Sequence, residues 1–185
     1  MTDSIYYLPG HGGRLSTGLG ENLLGRGLDV SGRETIGKFL ALTFKEQVEL
    51  VAEDLRSFYW HPTARVIANS FGAYLFLHAQ ALLPPFIGKV LLLSPIVGEF
   101  AEEGASIGFI PPRADRLLKL AQAGTYPTPM QCEIHVGAQD WQSNPANVIR
   151  FAELVDLPVT VVPDTGHMLG KPYVGGVLDR WLGGR

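Results

Sequence analysis

The sequence is short of cysteine, of charge and of long apolar runs, and each shortage excludes a class of protein. Cys132 is the only cysteine, which excludes an internal disulfide and a cysteine-rich metal site. Charged residues make up 18% of the chain and the net charge is −3. Because lysine and arginine form no cluster, no surface for nucleic-acid phosphates is expected. No apolar run approaches the roughly 20 residues that cross a bilayer, so no membrane span is expected.

The remaining composition is that of a globular protein with a sizeable core. Hydrophobic residues make up 46% of the 185 residues, and this length suits one domain better than two. The first residues lack the basic stretch and the apolar stretch of a signal peptide. We therefore expect a single domain over residues 1–185, located in the cytoplasm.

Short β-like runs alternate with helix-like runs, which predicts a parallel sheet with crossover helices. Thr43 and Glu46 form a capping box before one helix, and Asn144 caps another whose first residue is Pro145. Between residues 98 and 130, glycines and prolines break the pattern around one short helix, which suggests a lid-like insertion. Strands are expected at residues 5–8, 28–30, 65–69, 89–94, 132–136 and 158–162, and helices at residues 44–58, 71–83, 114–123, 145–155 and 173–182.

Three polar side chains follow three of these strands, at the point where each strand ends. Ser70 follows the strand at 65–69, Asp140 follows the strand at 132–136, and His167 follows the last strand. The carboxyl ends of parallel strands meet at one edge of a sheet, where ligands bind. A serine needs a base to take its proton, and an imidazole needs a carboxylate to orient it. The order along the chain is serine, aspartate, histidine.

This order, with a serine at a strand-to-helix turn, resembles the α/β-hydrolase family. Four stretches carry the resemblance, each after a strand and together spanning nearly the whole chain: "LPGHGG", "ANSFGA", "GAQDWQSNP" and "DTGHML". The resemblance implies a single-domain α/β-hydrolase fold of about six mostly parallel strands with helices on both faces and a small lid-like insertion. Compared with the family, the first two strands are expected to be missing, since the glycine-rich loop here begins at residue 9.

The serine motif departs from the family's G-x-S-x-G, because Ala68 stands where the first glycine is expected. The positions two before and two after the serine approach neighbouring backbone, so the requirement is for small size. Ala68 adds one methyl group, and Gly72 leaves the other side open. The alternative interpretation is that Ser70 only caps the following helix, since serine is a favoured N-cap.

An acyl-transfer site also needs backbone N–H groups for the negative oxygen of its intermediate. The resemblance implies that Phe71 supplies one N–H and that the loop after the first strand supplies the other, with His11 preferred and Gly12 second. Gly12 and Trp141 are expected to line the substrate site. Glu99, which follows the strand at 89–94, is the main rival to Asp140 as the acid, while Asp164 is too close to His167 in sequence to orient its imidazole.

The resemblance implies a serine hydrolase that cleaves a carboxylic ester or thioester of a small acyl substrate through an acyl-enzyme on Ser70, with Asp140 and His167 completing a triad. Amide hydrolysis, C–C hydrolysis and a noncatalytic binding role remain alternatives. No cofactor is implied. The five histidines are scattered without metal-ligand spacing, so no catalytic metal is expected. The oligomeric state is left open.

Overall fold

The computed structural model describes residues 4–100 and 110–183, which form a parallel sheet flanked by helices. Its strands are β1 (Ser4–Leu8), β2 (Asp29–Gly32), β3 (Arg65–Asn69), β4 (Lys89–Leu93), β5 (Gln131–Gly137) and β6 (Val159–Val162). Its helices are α1 (Leu19–Gly25), α2 (Gly37–Leu40), α3 (Phe44–Phe58), α4 (Phe71–Gln80), α5 (Arg116–Gln122), α6 (Pro145–Leu154) and α7 (Lys171–Gly183).

The six strands form one sheet in the order β2-β1-β3-β4-β5-β6, and every neighbouring pair is parallel. The expectation of about six mostly parallel strands is therefore confirmed. From β1 the chain moves to one side for β2 and returns to the other side for β3. The carboxyl ends of β1 and β3 thus flank the point where the strand order reverses, which is where ligands bind in open α/β sheets.

The sheet is buried on both faces because alternate residues of its central strands are apolar on both sides. One face carries Tyr6, Val66 and Val90 and packs against α3, α4 and α6, while the opposite face carries Ile5 and Ile67 and packs against α1 and α7. Helices therefore cover both faces, as expected.

Local sequence explains where two of these helices begin. Helix α3 starts after Thr43, which forms the predicted capping box with Glu46. Helix α6 starts at Pro145 as predicted, but Asn144 adopts a left-handed conformation with φ 50° and its side chain makes no cap hydrogen bond. Asn144 is therefore the N-cap residue, as predicted, but among the described residues its side chain does not make the hydrogen bond that an asparagine cap usually provides. Helices α1 and α2 were not predicted from the sequence.

Part of the predicted insertion packs as an element of the protein body. Helix α5 buries Leu117 and Ala121 in the larger core. Residues 101–109 of the predicted lid lie outside the described residues, so the lid stays a prediction. Within residues 4–100 and 110–183, no helix is long and apolar enough to cross a membrane.

Candidate active site

Ser70 lies in a tight turn between β3 and α4, with the backbone angles φ 52° and ψ −118°. This conformation is strained for a residue with a side chain, and such strain is maintained only where the surrounding structure imposes it. Here the Ser70 N–H donates to the carbonyl of Leu93 at 3.0 Å, at the end of the neighbouring strand. Ser70 occupies the N-cap position of α4, but its side chain makes no cap hydrogen bond. Its hydroxyl is thus not used in capping.

The two small residues of the motif differ in how much room they have. A Cβ atom at Gly72 would lie 2.1 Å from the carbonyl oxygen of Leu8 and 2.4 Å from that of Pro9. These are backbone atoms of the neighbouring chain segment, so only glycine fits at that position. Ala68, in contrast, is fully buried in the core, and the fold accommodates its methyl group.

The imidazole of His167 connects the serine to the acid. The Ser70 Oγ atom lies 2.7 Å from His167 Nε2, and His167 Nδ1 lies 2.9 Å from each carboxylate oxygen of Asp140. An ionised carboxylate can only accept hydrogen bonds. Nδ1 therefore carries the proton and donates to Asp140, which leaves Nε2 free to accept the proton of the Ser70 hydroxyl.

Asp140 is fully buried, and its Oδ1 atom also accepts hydrogen bonds from the backbone N–H groups of Gln142 at 3.0 Å and Ser143 at 2.9 Å. Burial raises the pKa of its carboxyl group, but the hydrogen bonds from His167 and from the Ser143 N–H outweigh burial and hold the pKa below its ordinary value. Asp140 is therefore ionised at neutral pH, as a partner for an imidazolium must be.

The rival acid lies in a different environment. Glu99 is exposed, and the contact it makes is through its backbone carbonyl, which accepts from the Asn147 side chain at 3.2 Å. In the described part of the chain, both carboxylate contacts of the His167 ring come from Asp140.

The loop after β1 lies against the nucleophile. A Cβ atom at Gly10 would be 3.7 Å from Ser70 Oγ. The N–H of Gly10 donates to the Asn69 side chain at 3.2 Å, and that of Gly12 donates to the carbonyl of Thr35 at 3.0 Å.

Among the described residues, the N–H of His11 has no such acceptor. Its exposed ring lies 5.9 Å from the ring of Phe71.

Phe71 is the first residue of α4 and follows the nucleophile directly. The first N–H groups of a helix have no acceptor within the helix, and the helix dipole places positive charge there. Within residues 4–100 and 110–183, the N–H of Phe71 and the N–H of His11 are thus two donors without a backbone acceptor, on the segments that meet at Ser70.

Sequence reasoning missed two residues that hold these loops together. Thr35 is fully buried, and its hydroxyl contacts the carbonyl of Gly10 and accepts from the N–H of Gly13 at 3.0 Å. Ser94, just after β4, bonds to the base loop and to the acid loop. Ser94 carried a signal, since it is a polar residue at a strand end, but Thr35 lies in no motif.

Trp141, predicted to line the substrate site, is 39% exposed and packs edge-to-face on Phe100 at 5.6 Å between ring centroids. His61 is exposed, while His78 is buried against Phe44 and Tyr74. No group of three potential ligands in the described residues is arranged to hold a metal ion.

A second cluster also combines a hydroxyl, an imidazole and a carboxylate. It consists of Tyr173, His135 and Glu133 and lies between β5 and α7. His135 Nδ1 is 2.7 Å from the Tyr173 hydroxyl, and Nε2 is 3.3 Å from Glu133. Arg180 binds the same carboxylate through two bonds of 2.9 and 3.2 Å. This cluster lines a cleft of about 610 Å³ that contains none of Ser70, Asp140 or His167.

No protein-family model and no curated protein matches the chain. Many solved structures do. The carboxylesterase CesB (YbfK) from Bacillus subtilis has a TM-score of 0.70 at 14% identity, over 100% of this chain and 85% of its own. The hydrolase BphD from Rhodococcus sp. strain RHA1 has a TM-score of 0.68 at 13% identity, over 99% of this chain and 91% of its own. The ydeN gene product from Bacillus subtilis has a TM-score of 0.67 at 14% identity, over 99% of this chain and 100% of its own.

Proposed function

Because the chain has the α/β-hydrolase fold, we propose that it is a serine hydrolase that cleaves a carboxylic ester or thioester through an acyl-enzyme on Ser70. The observation that carries the proposal is the continuous path of hydrogen bonds from the Ser70 hydroxyl to His167 and from His167 to a buried, ionised Asp140. The path begins on a strained turn that no capping bond explains. That the solved structure of CesB is called a carboxylesterase supports the choice of substrate.

In the first step, the Ser70 oxygen attacks the acyl carbon while its proton moves to Nε2 of His167. The new C–O bond forms as the carbonyl electron pair moves onto oxygen. When the intermediate collapses, the leaving alkoxide or thiolate takes the proton from Nε2 and the acyl group remains on Ser70. Water repeats the sequence with the same base and releases the acid. Asp140 stabilises the imidazolium in both halves of the reaction.

The oxyanion of each intermediate is assigned to the N–H groups of His11 and Phe71. Two features support His11 over Gly12 as the donor from the loop. The Gly12 N–H already donates to Thr35, and the hydroxyl of Thr35 holds the loop at Gly10 and Gly13. Such fixed donors stabilise a developing charge without having to reorganise, and each typically contributes about 3 kcal/mol.

The proposal keeps residues 1–185 as a single domain and gives residues 98–130 a part in shaping the substrate site. The contact between Phe100, near the start of this segment, and Trp141, which follows the proposed acid, supports that arrangement. Gly12 and Trp141 keep their assignment as substrate-lining residues, and no cofactor takes part.

Labelling with a fluorophosphonate probe tests the chemistry. We expect the wild type to be labelled and Ser70→Ala to remain unlabelled. Absence of labelling in the wild type, under conditions that label a known serine hydrolase, would favour the noncatalytic alternative. Nitrophenyl esters of graded chain length, assayed beside acyl thioesters and the corresponding anilides, then identify the substrate class. Faster cleavage of anilides than of esters would contradict the ester proposal and favour an amidase.

A further inference from the structure

The end of strand β4 contacts all three segments that carry the proposed triad. The carbonyl of Leu93, the last residue of β4, accepts from the N–H of Ser70 at 3.0 Å. Ser94 follows, and its own N–H donates to the carbonyl of His135 in β5 at 2.7 Å. This places Ser94 between the nucleophile strand and the strand that leads to the acid.

The hydroxyl of Ser94 holds the base. It donates to the backbone carbonyl of His167 at 2.8 Å. His167 lies on a loop that follows the edge strand β6, so its position is not fixed by a helix or strand of its own. A hydrogen bond to the backbone of His167 therefore restrains the position of its imidazole relative to Ser70.

The carbonyl of Ser94 holds the acid loop. It accepts from the Ser143 hydroxyl at 2.7 Å, while the Ser143 N–H donates to Asp140 Oδ1 at 2.9 Å. Ser143 is 1% exposed and Ser94 is 4% exposed, so water does not compete with these bonds. One residue thus ties the backbone of the base to a direct partner of the acid.

The backbone of Ser94 is itself strained, with a φ of 44°. A residue other than glycine at such an angle costs free energy, and the surrounding structure must hold it there. Glycine would meet the backbone requirement without strain but would provide no hydroxyl. The residue at this position is nevertheless serine, which provides the hydroxyl that donates to His167.

From this geometry we propose that Ser94 is a positioning residue of the active site, which sets the distance between His167 and Ser70 through its hydroxyl and the orientation of Asp140 through Ser143. The inference rests on the proposed function. It adds a fourth side chain to the site, one that acts through His167 and does not touch the reacting atoms.

The first test is Ser94→Ala, assayed on the best ester of the wild type. We expect kcat to fall about 10- to 100-fold, as displacements of about 1 Å commonly cause, with KM changed by less than about 2-fold. Ser94→Gly removes the same hydroxyl and relaxes the positive φ, so it remains usable if Ser94→Ala folds poorly. The same loss is expected for it. Wild-type kcat in Ser94→Gly overturns the proposal.

The second test separates positioning from a general structural effect. In a His167→Ala background, Ser94→Ala should cause no further loss of residual activity, because the group it positions is absent. A further 10-fold loss there contradicts the proposal. Thr165→Val is the matched control, since it removes a hydroxyl that bonds to the carbonyl of Pro163 at 2.9 Å on the same loop, and it should leave kcat unchanged.

The two proposals fail in distinguishable ways. If the wild type neither hydrolyses esters nor reacts with a fluorophosphonate, the proposed function is wrong. If the wild type is active and Ser94→Ala and Ser94→Gly retain its kcat, the function stands and only the positioning role of Ser94 is refuted.

Discussion

Two clusters among the described residues combine a hydroxyl, an imidazole and a carboxylate, and we propose catalysis only for the triad cluster of Ser70, His167 and Asp140. In the second cluster, Arg180 binds Glu133 through two hydrogen bonds. The guanidinium charge therefore offsets much of the carboxylate charge that would otherwise stabilise a protonated His135. In the triad cluster, Asp140 accepts from His167 and from backbone N–H groups, which carry no net charge. Its full charge therefore remains available to an imidazolium.

The hydroxyl groups differ as well. Ser70 precedes the free N–H of a helix start and lies against the loop after β1. Tyr173 lies within the first turn of α7, and burial raises the pKa of its phenol. Three matching side chains are therefore not sufficient for a nucleophile. The site also needs donors for the oxyanion and an acid whose charge is reserved for the base.

The largest difference is expected from removing each hydroxyl. Ser70→Ala should lower kcat by about 10⁶-fold, as loss of a triad serine does, and Tyr173→Phe should change it by less than about 2-fold. Turnover of a nitrophenyl ester measures both. Equal losses in the two variants would show that the second cluster takes part in the reaction.

Removing each carboxylate charge is expected to give the next largest difference. Asp140→Asn should lower kcat about 10⁴-fold, because an amide favours the wrong imidazole tautomer. Glu133→Gln should stay within about 3-fold of the wild type, since Arg180 already compensates that charge. Glu99→Gln tests the rival acid in the same assay, and a loss similar to that of Asp140→Asn would move the assignment to Glu99.

Replacing a helical glycine by alanine in each of the two regions is expected to change the free energy of unfolding in opposite directions. Gly72→Ala should lower the free energy of unfolding by about 1–3 kcal/mol, because its Cβ meets backbone oxygens of Leu8 and Pro9. The added Cβ of Gly176→Ala, beside the second cluster, meets nothing within 4 Å, so this variant should raise the free energy of unfolding by about 0.5–1 kcal/mol. Urea denaturation measures both values. A neutral Gly72→Ala would mean that the turn at Ser70 has room to adjust.

The last comparison concerns His78, a third histidine whose Nε2 has no hydrogen-bond partner in the described residues. Burial, followed by the charges of Arg116 and Arg113, lowers its pKa to about 3. An unfolded histidine takes up a proton near pH 6.5, so between about pH 6.5 and 3 the unfolded state binds a proton that the folded state does not. The folded state should therefore lose stability as the pH is lowered through that window, by at most about 1.4 kcal/mol per pH unit.

Comparing His78→Gln with the wild type at pH 7 and pH 5 isolates this effect, because the other titrating groups are common to both proteins. The wild type should lose more stability than the variant on going to pH 5. The same loss in both would mean that His78 is accessible to protons in the folded state.

The sequence predicted the sheet well because its strands are short apolar runs, buried on both faces and separated by helices with clear periodicity. It failed to predict α1, where Gly18, Gly20 and Gly25 interrupt the pattern and only Gly20 and Leu23 are buried. It also failed for α2, which is a single turn. In both segments tertiary contacts determine a structure for which local sequence gives little signal.

The candidate site was predictable in part, for a physical reason. Ser70, Asp140 and His167 could be found because parallel strands bring their ends together whatever the details of packing. The contributions of Thr35 and Ser94 depend on hydrogen bonds to backbone carbonyls of distant loops. Any residue has such a carbonyl, so no pattern of residue types marks the acceptor. The sequence also does not show that a methyl group fits at Ala68 but not at Gly72, because this difference depends on how closely a neighbouring backbone segment approaches each residue.

The distance along the chain between the nucleophile and its base has a consequence for how activity appears during synthesis. His167 follows Ser70 by 97 residues, which a ribosome adds in roughly 5–20 s at 5–20 residues per second. During that interval the serine turn can form on the emerging half-sheet, but its hydroxyl has no base. On the proposed function, reactivity would begin only when β6 adds to the edge of the sheet and the loop after it forms the hydrogen bond with Ser94. The nascent chain would then acquire reactivity in a single late event, after most of the core has formed.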